Sequence, residues 1–551
     1  MKKFEYRPEH DYQDLRELIN RSADTYGEKT ALIFKSKDRK TKTEISYSKL
    51  REDIDVASAY LLEKGLKDKK IAVIGANSYE WVLMYYGVMN NVGILVPLDK
   101  GLTDEEIANS LKISGCDAIV HGEEYKETIE NIDREYGVKI DTVIPMEDFT
   151  QDKLPAYEEL VDKHKKDFKV IDNDEVSLIL FTSGTTSQAK AALLTHRNIA
   201  SNVGALRMTE PMTPEDRGYI ILPLHHAFGS TGVSFLLSHG MTSAFCSGIK
   251  YFQKELKEYK VTTFFCVPLI IESMINKVLK TADQQGKREK LEKGRKIARF
   301  FLKFGIDLRP IIFKEVREGL GGSLRLLISG AAPLSLDTIS YINDFGICGY
   351  QGYGLTETSP TIAAERPDTC KPGTVGLAMP LIEIKINNPD ENGVGELLVK
   401  GPNVMKGYMN NDELNKEVFV DGYFNTGDYA SMDEEGFITI HGRKKNVIVL
   451  KNGKNIYPEE IELLIQELPY VVENVVIGQE KEDDYRLIAS VVYDPAQFEE
   501  NVDVKALVEA DIEKINEGMP KYKRIKEVFI TVEPFEKTST GKIRRNTVVK
   551  E

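Results

Sequence analysis

Phe181-Thr182-Ser183-Gly184-Thr185-Thr186-Ser187-Gln188-Ala189-Lys190 is the stretch that decides how this chain is read. An apolar run, Val176 to Phe181, leads into it with the character of a buried strand, and a helix-like start, Thr195-His196-Arg197-Asn198, follows. Between the two lie short hydroxyls, backbone N–H groups and one ammonium. These are the donors with which a loop wraps a polyphosphate. A solvated Ser/Thr/Gly turn is the plainer reading of such a stretch taken alone. The glycine-lysine loop G-x-x-x-x-G-K-[ST] is excluded, because its second glycine and the hydroxyl after the lysine are missing. The functional reading makes a nucleoside triphosphate the co-substrate.

The same alternation recurs outward from this point. Ile71-Ala72-Val73-Ile74-Gly75 reads as a buried strand, Tyr79 to Met89 has helical spacing, and Gly93-Ile94-Leu95-Val96-Pro97 reads as the next strand. Tyr219 to Leu222, Thr262 to Val267 and Leu324 to Ser329 continue the pattern. The expected class is α/β, with a large N-terminal domain of layered sheets. No short-period repeat or low-complexity segment interrupts it.

At 551 residues the chain exceeds one hydrophobic core, so two or more domains are expected. A net charge of −14 argues against nucleic acid as a partner. The first ten residues lack the apolar core of a signal peptide, and no run approaches the roughly 20 apolar residues of a membrane span, so a cytoplasmic protein is expected. Cys116, Cys246, Cys266, Cys348 and Cys370 show no C-x-x-C spacing and read as buried, reduced thiols. The histidines show no H-E-x-x-H arrangement, so a zinc site or transition-metal chemistry is not expected. From Lys287 to Lys303, eight bases face only Glu289 and Glu292, with Phe300, Phe301, Leu302 and Phe304 interleaved or following. That composition fits a solvated helix packing one apolar face on its own domain. It also fits a peripheral contact with the inner face of an anionic membrane, or with a phosphorylated coenzyme or carrier protein.

Four further segments join the first: Gln351-Gly352-Tyr353-Gly354-Leu355-Thr356-Glu357-Thr358; Tyr423-Phe424-Asn425-Thr426-Gly427-Asp428, which reads as an aspartate in a tight turn; Gly442-Arg443-Lys444-Lys445 with Asn452-Gly453-Lys454; and Lys537-Thr538-Ser539-Thr540-Gly541-Lys542. With them the chain resembles the adenylate-forming superfamily of acyl-CoA synthetases, adenylation domains and luciferases over nearly its whole length. Asn77-Ser78-Tyr79-Glu80-Trp81, the basic insert before Leu327-Ile328-Ser329-Gly330-Ala331-Ala332-Pro333, and Leu450 to Glu460 make it similar to the long-chain fatty acyl-CoA synthetases.

The resemblance implies that a carboxylate attacks the ATP α-phosphate to give acyl-AMP and pyrophosphate, after which the thiol of coenzyme A displaces AMP. Both reactants of the first step are anions, so the site must neutralise charge and align the attack. By resemblance Thr182, Ser183, Gly184, Thr185, Thr186 and Lys190 would hold the outer phosphates, and Thr356 would meet the α-phosphate. Glu357 would hold Mg²⁺, a hard ion suited to carboxylate oxygen. Tyr353, flanked by Gly352 and Gly354, would stack on adenine beside the backbone of Gly330, Ala331 and Ala332. Asp428 would accept from the ribose hydroxyls and Arg443 would assist. His226, in Leu222-Pro223-Leu224-His225-His226, matches a position lining the acyl site, and the stretch from Ser230 to Gly240 is a candidate wall. Lys542 would act in adenylation, and Gly453 lies in a loop presented for the thiol step.

Within the phosphate loop the chain departs from the family pattern, with Ser187, Ala189 and Ala191 where Gly, Pro and Gly are usual. At a position that needs φ > 0, a side chain costs roughly 1–2 kcal/mol. The resemblance also implies a distorted β-barrel subdomain, a main domain over 1–441, a hinge at 442–447 around Lys445, and a small mobile α+β lid over 448–551 that carries Lys542. Two other readings stand beside the ligase: a fatty acid:acyl carrier protein ligase, and a non-catalytic nucleotide-binding relative with a degenerate phosphate loop.

Overall fold

Ile71, Ala72, Val73 and Ile74 form an unbroken apolar run, and such runs pair in parallel with both sheet faces covered. All four are fully buried in strand Lys69–Ile74. The structure, a computed structural model, describes residues 12–36, 39–168, 171–182, 190–366, 369–450, 454–481, 484–498, 502–537 and 543–548. The chain divides into two compact units, residues 1–334, 338–383 and 400–422 in the first, and 335–337, 384–399 and 423–551 in the second.

In the first unit, strand Lys69–Ile74 pairs in parallel with Gly93–Pro97 on one side and Ala118–His121 on the other. Helix Tyr79–Met89 connects the first two and is buried on nearly every side, which suits its uniformly apolar sequence. Ser78 starts it by accepting the Trp81 N–H at 3.1 Å. This helix and strand Gly93–Pro97 have the bounds the sequence suggests. Thr142–Pro145 pairs in parallel beyond Ala118–His121, strand Val176–Thr182 extends the other side in parallel, and Lys190–Thr195 and Gly407–Tyr408 complete seven strands in antiparallel fashion.

The helix start expected at Thr195-His196-Arg197-Asn198 is where helix His196–Thr209 begins, but a strand that the sequence reading did not anticipate, Lys190–Thr195, precedes it. Residues 183–189 join the two strands of a β-hairpin, with Thr182 opposite Lys190, and helix His196–Thr209 begins only after the second strand. Ala191, where related loops carry glycine, sits in that strand and is absent from the positive-φ residues. Its methyl therefore carries no left-handed strain.

A second sheet orders its strands Thr263–Cys266, Leu326–Ser329, Cys348–Gly354, Thr361–Ala364 and Leu377–Ala378. The first three run parallel and the last two antiparallel. A core that includes Phe264, Leu327, Ile342 and Phe345 fills one side of it. Helix His196–Thr209 ties the two sheets together. Asn198 donates to the carbonyls of Pro402 and Val404, and Asn202 exchanges hydrogen bonds with Thr361.

Helix Arg288–Leu302 forms where the bases cluster. It buries Gly294 and Ala298, and Arg295 and Arg299 pair with Asp344. Ile297, Phe300, Phe301, Leu302 and Phe304 remain exposed, Phe300 to 57% and Phe304 to 68%. Of the cysteines, Cys116 and Cys266 are buried but Cys348 and Cys370 are exposed, which corrects the expectation of uniformly buried thiols. Among the described residues no helix is long and apolar enough to cross a membrane.

In the second unit, Gly395–Lys400, Tyr423–Met432 and Ile438–Arg443 pair antiparallel. A separate sheet of Val471–Lys481, Asp484–Tyr493 and Ile525–Thr531 packs against helices Pro458–Gln466 and Val504–Glu517 around Ile461, Ile465, Val476, Val508 and Ile512.

Candidate active site

Three of the residues singled out by sequence meet at the lip of the hairpin. Thr182 donates its hydroxyl to the Lys190 carbonyl at 3.4 Å, closing the strand ends across the loop. The edge strand is then paired by a short strap, Gly407 opposite Leu193 and Tyr408 opposite Ala192, with Met409 N–H donating to Ala191 at 2.8 Å. The strap also reaches the turn Thr356–Thr358: Met405 N–H donates to the Glu357 carbonyl at 2.9 Å, and Asn403 to the Thr358 carbonyl at 2.8 Å. This register sets Tyr408 between the two motifs. Its hydroxyl donates to Glu357 Oε1 at 2.6 Å, and Lys190 Nζ stands 5.2 Å from its ring centroid. Tyr408 is a residue that sequence reasoning missed. It lies outside every motif, on a two-residue strand that no periodicity announces.

The donor set suits a phosphate and a hard cation. Glu357 is half-buried, and its hydrogen bond to Tyr408 engages Oε1, leaving Oε2 as a further hard oxygen ligand. An ammonium lies across the same ring. Thr356 is half-buried at the start of the same turn.

The two segments expected to meet the nucleoside lie at the carboxyl ends of adjacent parallel strands, where open α/β sheets bind ligands. Ser329 and Gln351 are register partners, so Gly330-Ala331-Ala332 and Gly352-Tyr353-Gly354 emerge side by side. Ala331 has φ of 71°, a conformation that costs a non-glycine residue of order 1 kcal/mol, and both Ala331 and Ala332 are exposed. Gly354 is required sterically, since a Cβ there would sit 1.9 Å from the Pro360 carbonyl oxygen. Tyr353 is half-buried opposite Ala363.

His226 immediately precedes helix Ala227–Ser238, and Phe228 on that helix comes within 3.0 Å of where a Cβ on Gly330 would lie. Gly232, Val233 and Leu236 line a shallow cleft, with room for little more than one water, together with Tyr219, Phe228 and Phe265. The lining is apolar, and two of its residues, Gly229 and Gly232, contribute no side chain. The preceding His225 is buried beside Asp99, its Nε2 standing 3.2 Å from Asp99 Oδ1. Burial alone would raise the Asp99 carboxyl, but His225, the Gly101 N–H and His226 outweigh it and hold the group at about 2.

In the second unit, Asp428 is buried and receives Arg443 Nε at 2.9 Å across paired strands. The sequence suggests a tight turn here, but Asp428 lies inside strand Tyr423–Met432. Leu398 faces Asn425 and Glu396 faces Tyr429, so residues 426–428 bulge out of the ladder, with Gly427 at φ 72°. Thr-Gly-Asp suits a bulge as well as a turn. Lys445 is exposed in the short helical turn Lys444–Asn446, while Lys444 pairs with Glu396 at 2.5 Å. Ser183, Gly184, Thr185, Thr186, Gly453 and Lys542 lie outside the described residues.

Comparisons with known proteins give the site a context. A family model described as AMP-binding enzyme matches residues 19–409, and one described as AMP-binding enzyme C-terminal domain matches residues 445–551. Long-chain-fatty-acid–CoA ligase 5 of Mus musculus is 30% identical over 89% of this chain and 80% of its own length. Long-chain-fatty-acid–CoA ligase FadD15 of Mycobacterium bovis is 27% identical over 92% of this chain and 90% of its own. Among solved structures, ATP-bound MatB from Rhodopseudomonas palustris superposes with a TM-score of 0.74 at 25% identity, covering 97% of this chain and 98% of that one.

Proposed function

This chain belongs to the AMP-binding enzyme family, an adenylate-forming family, and from that premise we propose that it is a long-chain-fatty-acid–CoA ligase. It joins a medium- or long-chain fatty acid to ATP as acyl-AMP and then passes the acyl group to coenzyme A. In the first step a carboxylate oxygen forms a bond to the α-phosphorus and pyrophosphate leaves. In the second the coenzyme A sulfur attacks the acyl carbon, AMP leaves, and the thiol proton is lost.

The grouping of Lys190, Tyr408 and Glu357 at the hairpin lip is the observation that carries this reading. Lys190 lowers the repulsion between two anions, and Tyr408 orients the carboxylate. Mg²⁺, if held by Glu357, would supply further neutralisation of phosphate charge. Thr356 stands next to that carboxylate, and Tyr353 offers a ring face beside exposed backbone at Ala331 and Ala332. Asp428, paired with Arg443, is an acceptor for ribose hydroxyls. The apolar side chains of Phe228, Val233, Leu236 and Phe265 favour an acyl chain over a polar acid as their neighbour. The names of the two curated relatives favour the same substrate class and coenzyme A as acceptor.

Lys445 is the proposed hinge and Lys542 the lysine brought in for adenylation. A turn at 445 would part the 2.8 Å hydrogen bond between His441 and Glu460, which lie on either side of it. The test is ATP–pyrophosphate exchange across acids of graded chain length, with Lys542→Ala alongside. Exchange is expected with medium- and long-chain acids and not with short ones, and the variant should lose roughly 10²-fold or more in acyl-AMP formation while still thiolysing supplied acyl-AMP. No exchange with any acid would sink the ligase, and equal loss of both half-reactions would sink the role of Lys542.

A second surface reading rests on the exposed Phe300, Phe301 and Phe304 beside exposed Lys296 and Lys303. Bases flanking exposed aromatics suit a peripheral contact with an anionic membrane. Flotation with phosphatidylglycerol vesicles should carry the wild-type chain upward and leave Phe300→Glu at the bottom. Identical flotation of both, or none of either, rejects the contact.

A further inference from the structure

We propose that Asp99, His225 and His226 form a binding site for a divalent cation of borderline softness, of the Zn²⁺ type, with three protein ligands and the remaining coordination open. One ligand atom from each residue lies within 4.8 Å of the others. Tetrahedral Zn²⁺ bound at about 2.1 Å needs its donors about 3.4 Å apart, so the cluster closes with side-chain adjustment of an ångström or so. Two imidazoles and one carboxylate select such an ion over Mg²⁺ or Ca²⁺, which prefer oxygen throughout.

Unmet valences at the site point to a ligand. Asp99 Oδ2 and His225 Nε2 are buried and have no hydrogen-bond partner among the described residues. His225 Nε2 approaches Asp99 Oδ1 to 3.2 Å and Oδ1 also accepts the Gly101 N–H at 2.8 Å, so Oδ2 is the carboxylate oxygen left for a further partner. His225 is only 6% exposed, and leaving a buried polar atom unpaired costs roughly 1–3 kcal/mol. A cation shared with Oδ2 and His226 would satisfy both groups at once. The two imidazole rings lie 4.2 Å apart, inclined at 61°, so they do not stack face to face on one another.

The scaffold holds these groups in place. Asn77 fixes the histidine loop by donating to the Leu222 carbonyl at 2.7 Å and accepting the Leu224 N–H at 3.1 Å. His226 N–H donates to Pro223 and its carbonyl accepts from Ser230. A Cβ on Gly229 would lie 2.0 Å from the Pro223 oxygen, so the loop is packed tightly onto the start of its helix. Metal-motif spacing misses the site because the ligands come from two loops far apart in sequence.

Co²⁺ titration of the full-length, metal-free protein, without ATP or acid, tests the site through the visible absorption of low-symmetry cobalt. The wild type is expected to take up one equivalent, displaced by Zn²⁺. His225→Gln and Asp99→Asn should each weaken binding by roughly 100-fold, with folding checked by circular dichroism. If His225→Gln does not fold, Asp99→Asn and His226→Gln decide. Absence of a cobalt band in the wild type, or a band undiminished in two folded variants, overturns the proposal. Because nothing is turned over in this measurement, its failure leaves the ligase reading untouched, and the failure of that reading leaves this one standing.

Discussion

Two carboxylates assigned to the nucleotide are held in opposite ways. Asp428 is 2% exposed and meets the guanidinium of Arg443 on the neighbouring strand. Glu357 is half-buried, and the bond that holds its carboxylate is from a neutral phenol. A charge taken fully out of water needs a counter-charge, because its desolvation is not otherwise recovered. A half-buried carboxylate can stay ionised with a neutral donor and keep lone pairs for a metal. Environment alone therefore suits Asp428 to accept hydrogen bonds at a fixed position and Glu357 to coordinate.

Glu357→Gln tests that contrast most severely. The amide still accepts from Tyr408, so shape and orientation survive while the charge is lost. Exchange is expected to fall about 10²–10³-fold, or about 3–4 kcal/mol, with the Mg²⁺ dependence displaced to higher concentration. A loss of less than about tenfold with an unchanged Mg²⁺ profile would reduce Glu357 to a structural acceptor.

How much of this was legible beforehand depends on whether the determinant is local. Helix Tyr79–Met89 and strand Gly93–Pro97 were readable because Ser78 caps the one and a glycine-bounded apolar run defines the other. Strand Lys190–Thr195 was not. Ala191-Ala192-Leu193-Leu194 has no intrinsic preference for a strand, and its pairing with Leu178 to Phe181 decides the matter. Tyr408 was invisible for the same reason, since its place beside Glu357 follows from cross-strand register. Asp428 was found but its backbone misread, because a bulge and a turn use the same residues. The roles of the motif residues came from resemblance, and spacing alone would have left each of them a turn or a surface charge.

Glu365 supplies the case that the comparison lacks, a buried carboxylate with no ion pair among the described residues. It is 3% exposed, accepts the Gln351 N–H at 3.0 Å, and burial pushes it up to about 7 against that hydrogen bond. The folded chain thus holds this proton between about pH 4.5 and 7, where the unfolded chain has released it, and stability falls as pH rises through that window. At 1.36 kcal/mol per unit, the fall is about 3 kcal/mol. His196 works in the opposite direction. Burial lowers it to about 4, so it contributes stability that is present above its unfolded value of 6.5 and lost as pH drops toward 4. The two slopes oppose one another in the wild type, which makes a single melting curve uninformative and the difference between chains decisive. Glu365→Gln should gain stability over the wild type by about 3 kcal/mol on moving from pH 4.5 to pH 8, measured by denaturant unfolding at each pH. A difference that stays flat across that range would mean that the folded chain does not hold the Glu365 proton, and that a counter-charge is not what separates this carboxylate from Asp428.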